Sequence, residues 1–284
     1  MKAFVLAEPG KVKWFDAPEP QLVPYGAILK PVAVTPCSSD VHTVFGGGSK
    51  KQDNLVLGHE CIAEVVSVGE NVCDFKTGDR VAVPAITPDW REKSIQEGND
   101  RHASAPFSGH QLGRTQPGVF SERFLIKDAD TTLAHIPQKI SEEQALMSVD
   151  VVTTGFTGAE YADIKIGDTV CVIGIGPIGL MAVAGAKLRG AARIIAVGTR
   201  PKCVQLAKYY GATDVLSYKE GDIVQQVKEL TNGIGVDATI IAGGTAEVLT
   251  QAYDMTRYGI GTISNINYFG GTGYLPLPIF SGGR

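Results

Sequence analysis

The segment from Asp168 to Gly190 constrains the fold more than any other part of the chain. Residues 169–173 form a short apolar run typical of a buried parallel strand, and a glycine-rich turn then leads into a long apolar helical stretch. A side chain at Gly176 would hold a pyrophosphate away from the free N–H groups at the start of that helix. This order of strand, turn and helix predicts a dinucleotide-binding turn, and a structural glycine turn is the alternative. The candidate cofactor-binding residues are Gly174, Gly176, Pro177, Ile178 and Gly179.

Strands and helices alternate over residues 151–284, which predicts a doubly wound parallel sheet of the Rossmann type. A doubly wound dinucleotide domain usually has six strands, and the sequence accounts for five. The last strand is therefore expected to be missing or supplied by another chain, or the chain is expected to be incomplete. After the strand at 169–173, strands are predicted at 193–197, 215–216, 236–241 and 261–265, and helices at 153–162 (with a glycine interruption), 177–189, 201–210, 223–230 and 245–258.

Residues 1–150 carry the signals of short strands joined by glycine turns, and they predict a separate domain built as a small barrel or sandwich. Residues 89–118 are polar and lack periodicity, so they are expected to form a long surface excursion. Strands are predicted at 3–6 and 11–14 as a hairpin, and then at 26–34, 61–68, 81–84 and 119–124.

The composition narrows the class of protein. A formal net charge of −4 offers no basic surface for nucleic acid or for an anionic membrane. No apolar run is long enough for a membrane span, and the first residues lack the pattern of a secretory signal, so a cytoplasmic location is expected. Five cysteines, an odd number without a C-x-x-C pair, argue against a disulfide framework and against a four-cysteine zinc site.

The end of the second predicted strand indicates which dinucleotide is bound. A sheet that prefers NAD usually presents an acid here to the ribose 2′-hydroxyl, but this chain has Gly198, Thr199 and Arg200. Glycine leaves room for a 2′-phosphate, threonine donates a hydrogen bond and arginine pairs with the phosphate. The pattern favours NADP, and the alternative is that Arg200 is an ordinary solvated charge at a helix start.

Four residues of the first domain have the chemistry of zinc ligands and lie at segment ends. Their spacing alone is not diagnostic, because ligands spread over more than a hundred residues have no characteristic interval. The cysteine could be a small buried hydrophobe, the histidine a core residue and the aspartate a helix cap. These candidates are Cys37, His59, Glu60 and Asp150.

Several motifs together resemble the zinc-dependent medium-chain alcohol dehydrogenases, and most closely the NADP-dependent secondary alcohol dehydrogenases of the isopropanol dehydrogenase type from anaerobic bacteria and protists. The motifs are at 37–42 (CSSDVH), 58–60 (GHE), 78–81 (GDRV), 85–90 (AITPDW) and 174–190. The resemblance implies a GroES-like catalytic domain over residues 1–150 and a Rossmann NADP-binding domain over residues 151–284. It also implies hydride transfer between NADP(H) and a short secondary alcohol, its ketone or an aldehyde, in a homo-oligomer that is a tetramer in relatives.

The resemblance assigns roles to individual residues. It implies that Cys37, His59 and Asp150 hold one catalytic zinc, with Glu60 as an exchangeable fourth ligand. One thiolate and one carboxylate neutralise Zn²⁺, and three ligands leave the open position that catalysis needs. In the same way, Ser39 and His42 match a proton relay, and Gly198, Thr199, Arg200 and Tyr218 match the surroundings of the NADP 2′-phosphate.

The sequence also departs from the family pattern. Residues 89–118 contain no cysteine, so no second, structural zinc is expected. His110 stands where close relatives can place a bulky aromatic side chain, which implies a wider or more polar substrate pocket. Two alternatives remain: a shortened, catalytically impaired relative that only binds NADP or zinc or takes part in assembly, and a zinc-free quinone reductase of the same fold.

Overall fold

A computed structural model describes residues 1–45, 54–98 and 109–269 of the chain. The chain divides into two compact units, Met1–Asp150 and Val151–Arg284. The division falls where the hydrophobic period of the sequence changes. Within the described ranges, no helix combines the length and the apolar character needed to cross a membrane.

The first unit consists mainly of antiparallel strands. Its strands are β1 (Lys2–Glu8), β2 (Lys11–Asp16), β3 (Ala27–Thr35), β4 (Leu55–Val56), β5 (Glu60–Val68), β6 (Arg80–Val83), β7 (Phe124–Ile126) and β8 (Ala134–His135). Its helices are α1 (Ser38–Phe45), α2 (Lys93–Gln96), α3 (Ala129–Thr132) and α4 (Glu142–Ser148).

These strands form two sheets, one in the order β2-β1-β4 and one in the order β7-β3-β5-β6-β8. The predicted hairpin is confirmed, because β1 and β2 pair antiparallel on either side of Gly10, which has a φ of +78°. The larger sheet buries apolar side chains such as Leu29, Val65 and Phe124 in one core. Burial of this surface is the main force that holds the unit together.

The return strand predicted at 119–124 is shorter than expected and begins only at Phe124. Before it, the N–H of Val119 donates to the carbonyl of Gly58 (3.0 Å), whereas the N–H of Glu122 donates to the carbonyl of Lys2 (3.0 Å). Because these bonds reach two different segments, the residues between them do not form a regular ladder with one strand.

The surface excursion predicted at 89–118 is wrong for its last part. Leu112 is only 1% exposed and packs in the same core as Phe124. The polar composition of this segment indicated a solvated loop, but the apolar side chain of Leu112 holds the last part of the segment against the core. Residues 99–108 of the excursion lie outside the described part of the chain.

The second unit alternates helices and strands. Its elements are α5 (Val151–Tyr161), β9 (Thr169–Ile173), α6 (Pro177–Leu188), β10 (Arg193–Val197), α7 (Pro201–Tyr210), β11 (Asp214–Leu216), α8 (Ile223–Leu230), β12 (Ala238–Ile241), α9 (Glu247–Met255) and β13 (Thr262–Asn265).

The five strands of this unit form one parallel sheet in the order β11-β10-β9-β12-β13. The predicted doubly wound sheet is therefore confirmed. After β9 the chain adds β10 and β11 on one side of this strand and then β12 and β13 on its other side. The strand order therefore reverses at β9, and such sheets bind ligands at the carboxyl ends of the strands at this point. The prediction of a missing sixth strand concerns residues 270–284, which lie outside the described residues.

Two predicted elements of this unit are shorter in the structure. The strand predicted at 236–241 begins at Ala238, and the helix predicted at 245–258 ends at Met255. Thr256 has extended geometry (ψ 142°), which ends the helix. The N–H of Val236 donates to the carbonyl of Met255 (2.9 Å), so this residue bonds to the end of α9 before β12 begins.

Helix α5 packs closely against α6 at Gly155. The sequence predicted an interruption of the helix by glycine, but α5 is continuous through this residue. A methyl group on Gly155 would lie 2.5 Å from the Cβ of Met181 and 2.7 Å from the carbonyl oxygen of Ile178. The glycine therefore permits the close contact of the two helices.

We expect Gly155→Ala to lower the free energy of unfolding of the second unit by about 1–3 kcal/mol, because the added methyl group overpacks the contact. This loss exceeds the gain in helix propensity of roughly 1 kcal/mol that alanine brings. The midpoint of urea unfolding measures the effect, with Glu160→Ala at an exposed position of the same helix as the control. A Gly155→Ala protein as stable as the control would contradict the close contact.

Candidate metal centre and dinucleotide turn

The four candidate zinc ligands lie together in the first unit. One ligand atom from each of Cys37, His59, Glu60 and Asp150 lies within 4.8 Å of the other three. The Nε2 atom of His59 is 3.8 Å from an Asp150 oxygen and 3.9 Å from a Glu60 oxygen. The Cys37 sulfur is 4.0 Å from the same Asp150 oxygen.

Secondary structure explains how residues so distant in sequence meet. Cys37 lies between β3 and α1, Glu60 is the first residue of β5, and Asp150 follows α4. Strands β3 and β5 pair antiparallel, with Thr35 opposite Glu60. This register brings the end of β3 to the start of β5, and therefore brings Cys37 near His59.

The electrostatics of this cluster suit a cation. Glu60 is 2% exposed, and its Oε2 atom has no hydrogen-bond partner among the described residues. Burial first, and the nearby Asp150 carboxylate second, raise the pKa of Glu60 to about 7. A thiolate, an imidazole and carboxylates form a donor set that fits Zn²⁺ better than Mg²⁺ or Ca²⁺, which take oxygen ligands.

Asp40 is a residue of this site that the sequence interpretation did not assign. Its carboxylate accepts hydrogen bonds from the backbone N–H of Cys37 (2.9 Å) and of Gly58 (3.2 Å), and lies 3.4 Å from the Nδ1 atom of His59. Burial would raise the pKa of Asp40, but these hydrogen bonds, above all the one with His59, hold the pKa below its usual value. Burial likewise opposes protonation of His59, but the bonds to Asp40 and Cys37 raise the pKa of His59 to about 10.

A sequence signal for Asp40 exists. It stands three residues after Cys37, at the third position of α1, where an acidic side chain can accept from the N-cap backbone N–H. The contact of the Asp40 carboxylate with His59 has no such local signal, because it depends on the pairing of β3 with β5.

We expect Asp40→Asn to weaken zinc binding about 10- to 100-fold, because an outer carboxylate orients the histidine ligand and makes it more basic. Competition with a chromophoric chelator measures the affinity. Asp130→Asn is the matched control, since Asp130 also accepts hydrogen bonds from two backbone N–H groups, but these belong to Cys73 and Asp74, which are not members of the cluster. Equal zinc affinities in the two variants would contradict the orienting role.

Ser39 and His42 both lie on α1, and Ser39 contacts this cluster. The Ser39 hydroxyl is 3.4 Å from the Nε2 atom of His59, and Ser39 is half-buried. His42 is three residues further along the same helix, so both side chains project from one face. His42 is exposed to solvent.

His110 also lies at the cluster. Its ring contacts the ring of His59 edge to face, with 4.5 Å between the ring centroids and 73° between the planes. Burial, and then the charge of the nearby His59, lower the pKa of His110 to about 3. In the described part of the chain, its Nε2 atom is buried and has no hydrogen-bond partner.

In the second unit, the glycine-rich turn joins β9 to α6 as the sequence predicted. Gly174 has a φ of +90°, Gly176 is the N-cap of α6, and Pro177 is its first residue. A side chain on Gly179 would overlap the carbonyl oxygen of Gly174, 1.8 Å from its Cβ position, so this glycine lets the helix pack against the turn. Ile178 follows Pro177 in the first turn of α6.

The residues expected near a 2′-phosphate also lie at this turn. The Nη2 atom of Arg200 is 3.3 Å from the position that a Cβ on Gly176 would take. Thr199 donates a hydrogen bond to the hydroxyl of Tyr218 (3.1 Å), and Tyr218 is 59% exposed. The Arg200 guanidinium thus lies near the start of α6, and the exposed Tyr218 side chain is bonded to Thr199, the residue before Arg200.

Gly198 packs closely against the glycine-rich turn. A Cβ atom at Gly198 would lie 2.2 Å from Cγ1 of Ile175, so a side chain here would disturb the packing between β10 and the turn. That this glycine also leaves room for a 2′-phosphate stays a prediction.

The chain combines a parallel dinucleotide-type sheet that carries a glycine-rich turn with an antiparallel unit that holds a cluster of zinc-type ligands. Together these two features define a zinc-dependent dehydrogenase. Comparisons with known proteins agree. Residues 24–138 match the alcohol dehydrogenase GroES-like domain, and residues 177–281 match the zinc-binding dehydrogenase domain. The chain therefore belongs to the zinc-dependent alcohol dehydrogenase family, and the predicted GroES-like and Rossmann architecture is confirmed.

Curated relatives and solved structures extend this finding. The chain is 54% identical to the NADP-dependent isopropanol dehydrogenase of Thermoanaerobacter brockii, over 98% of this chain and 79% of the relative. It is 46% identical to the enzyme of the same name from Entamoeba histolytica, over 98% of this chain and 76% of the relative. The structure of a zinc-dependent alcohol dehydrogenase from Streptococcus pneumonia superimposes with a TM-score of 0.88 at 28% identity, over 98% of this chain and 79% of the other.

Proposed function

We propose that the protein is an NADP-dependent, zinc-dependent alcohol dehydrogenase that transfers a hydride between NADP(H) and short secondary alcohols or the corresponding ketones and aldehydes. The observation that carries this proposal is the convergence of Cys37, His59, Glu60 and Asp150 in a member of this family. Relatives at 54% and 46% identity bear the name of NADP-dependent isopropanol dehydrogenases.

The unit of residues 1–150 serves as the zinc-binding catalytic domain. Cys37, His59 and Asp150 would hold the zinc, and Glu60 would act as an exchangeable fourth ligand. When bound, zinc supplies positive charge that lowers the pKa of an alcohol hydroxyl beside it. The orphaned Glu60 oxygen and the proximity of the four ligand atoms support this assignment.

Proton movement is the task of Ser39 and His42. Ser39 contacts the cluster through His59, so its hydroxyl can accept the proton of a bound alcohol while donating its own. His42 is exposed, on the same face of α1, and can pass that proton to water. NADP, when bound, would supply the acceptor for the hydride, and the protein would contribute mainly positioning.

The unit of residues 151–284 serves as the NADP-binding domain. Its glycine-rich turn, Gly174, Gly176, Pro177, Ile178 and Gly179, would receive the pyrophosphate at the N-terminus of α6. Gly198, Thr199, Arg200 and Tyr218 would surround the 2′-phosphate. The position of the Arg200 guanidinium over Gly176 supports this arrangement.

A homo-oligomer in the cytoplasm completes the proposal. The second unit exposes large apolar side chains, including Ile166 (90%) and Leu188 (76%), which are suited to burial between subunits. All five cysteines are free, and the proposed ligand Cys37 must stay reduced, which suits a reducing compartment. Light scattering of the purified protein tests the oligomer, for which a tetramer is the expected mass.

The activity is tested by following NADPH absorbance with the purified protein, NADP and 2-propanol. We expect turnover that stops after incubation with a chelator and returns when zinc is added. Turnover that resists complete zinc removal would contradict the role of the cluster. A protein that binds zinc and NADPH but catalyses no reaction would support a binding or assembly role instead.

A further inference from the structure

The first unit contains a cavity that the proposed reaction does not use. Its volume is about 520 Å³, which lies within the range of about 300–1,000 Å³ that is usual for small-molecule sites. The residues that line it come from four stretches of the chain, at 23–25, 87–92, 111–116 and 126–132. None of the described lining residues is one of the four candidate zinc ligands. The cavity is therefore a second place at which this unit can hold a small molecule.

Hydrogen bonds between these stretches hold the walls of the cavity in place. The N–H of Ala129 donates to the carbonyl of Tyr25 (2.9 Å), which joins the first stretch to the last. The Arg91 guanidinium donates to both carboxylate oxygens of Asp128 (2.7 and 3.0 Å), which joins the second stretch to the last. A ligand thus meets walls that are already ordered, which lowers the cost of binding.

Thr87 places a buried hydroxyl group without a partner at this cavity. Thr87 is 9% exposed, and its Oγ1 atom has no hydrogen-bond partner within the described part of the chain. The cavity is also lined by the buried apolar side chains of Leu112 and Ile126. A hydroxyl group buried without a partner costs free energy, and a ligand that supplies the partner would remove this cost.

The charged groups at the cavity narrow the class of ligand. Two of the lining side chains are positive and three are negative, namely Arg91 and Lys127, and Asp89, Glu92 and Asp128. An anion would be repelled by the three carboxylates, and a cation would be repelled by the guanidinium and the ammonium group. An uncharged hydroxyl group is repelled by neither, and it can donate to a carboxylate or accept from a cationic group. The lining therefore favours an uncharged ligand with several hydroxyl groups.

The lining also offers flat apolar surfaces. The ring of Tyr25 lies at the cavity, with the Arg91 guanidinium carbon 5.8 Å from the ring centroid, and the rings of Pro24 and Pro88 are further lining groups. The C–H groups of a sugar can pack on such surfaces, because this contact removes apolar area from water. A sugar thus matches both the apolar and the polar parts of the lining.

We propose that this cavity binds an uncharged polyhydroxyl ligand of the size of a mono- or disaccharide, one hydroxyl group of which pairs with the hydroxyl of Thr87. The C–H groups of the ligand pack on the apolar lining, and its other hydroxyl groups bond to the charged side chains. The ligand undergoes no chemical change at this site. The inference goes beyond the proposed function and does not depend on it.

The test measures the binding of methyl glucoside and of sucrose to the zinc-loaded protein by saturation-transfer NMR. Neither sugar has a free carbonyl group that NADPH could reduce. We expect at least one of them to receive saturation, and its Kd to rise about 3- to 10-fold in Thr87→Val, which loses one neutral hydrogen bond. Methyl glucuronide, which has a carboxylate in place of the hydroxymethyl group of methyl glucoside, is expected to bind more weakly than either sugar.

Two further variants make the result specific. Thr87→Ser keeps the hydroxyl group and is expected to bind the sugar as the unaltered protein does. Thr77→Val is the matched control, because Thr77 is an exposed threonine of the same unit whose hydroxyl donates to the carbonyl of Val66 (3.1 Å). Its Kd is expected to equal that of the unaltered protein. Circular dichroism verifies the fold of each variant.

Several outcomes would overturn the inference. Absence of saturation for both sugars would show that water alone occupies the cavity. Equal affinities in Thr87→Val and Thr77→Val would exclude the hydroxyl contact, and tighter binding of methyl glucuronide than of methyl glucoside would exclude the uncharged class. Displacement of the sugar by 2-propanol in the presence of NADPH would place the sugar at the zinc cluster instead. All of these results would leave the proposed function intact, because that function is tested by turnover of 2-propanol.

Discussion

Replacing Asp150 by alanine is expected to abolish zinc binding at the cluster and to lower kcat/KM for 2-propanol about a thousandfold. The loss of a metal that stabilises developing charge corresponds to several kcal/mol, and each 1.4 kcal/mol is about a factor of ten. The fold is expected to survive, because the change removes one of two neighbouring carboxylates. Besides burial, repulsion between the Asp150 and Glu60 carboxylates contributes to the raised pKa of Glu60.

Zinc content by plasma emission and initial rates measure this prediction, and circular dichroism verifies the fold. Glu142→Ala is a suitable control, since Glu142 begins the helix that precedes Asp150 but forms its ion pair with Arg80 at the surface (2.9 Å). We expect this control to retain its zinc and its rate. Full zinc content with unchanged turnover in Asp150→Ala would show that the residue is not a ligand.

Replacing Arg200 by alanine is expected to lower kcat/KM for NADP about 10- to 100-fold and to leave kcat/KM for NAD nearly unchanged. A charge-assisted hydrogen bond to a phosphate contributes roughly 1.5–3 kcal/mol, and NAD lacks the 2′-phosphate. Arg200 is exposed and makes no side-chain cap to α7, so its removal is not expected to disturb the helix.

Lys208→Ala provides the matched control for Arg200→Ala. It removes one positive charge from the same helix at the end remote from the turn. A general electrostatic attraction would be weakened by both changes, whereas a phosphate contact is lost only with Arg200. Equal losses for NADP and NAD in Arg200→Ala would contradict the assignment. A substitution of Gly198 is a poor test, because it would displace Ile175 and disturb the turn.

The sequence was most informative where the determinants are local. Residues 169–190 specify a strand, a tight turn and a helix through apolar runs, glycines and Pro177, and the structure reproduces them within a residue or two. The alternation that follows predicts a parallel sheet, because βαβ connections give a restricted set of topologies. The ends of α9 and β12 were misplaced, since Val236 bonds to the end of that helix.

The metal centre could not be predicted from spacing. Cys37, His59 and Asp150 are separated by up to 113 residues in sequence, and only the pairing of β3 with β5 and the course of α4 bring them together. Resemblance to a family supplied the candidates that periodicity could not. Asp40 had a local signal in its helix position, whereas the burial of His110 and Leu112 had none, because it arises from tertiary packing of a polar loop.

The central claim is that this chain binds one zinc through one thiolate and nitrogen and oxygen ligands, and zinc-edge X-ray absorption of the purified protein tests it most directly. We predict one zinc per chain, with a single sulfur at about 2.3 Å and the other ligands at about 2.0–2.2 Å. The sulfur contribution is expected to vanish in Cys37→Ser. Protein without zinc, or zinc whose ligand shell contains no sulfur or four sulfurs, would contradict the account.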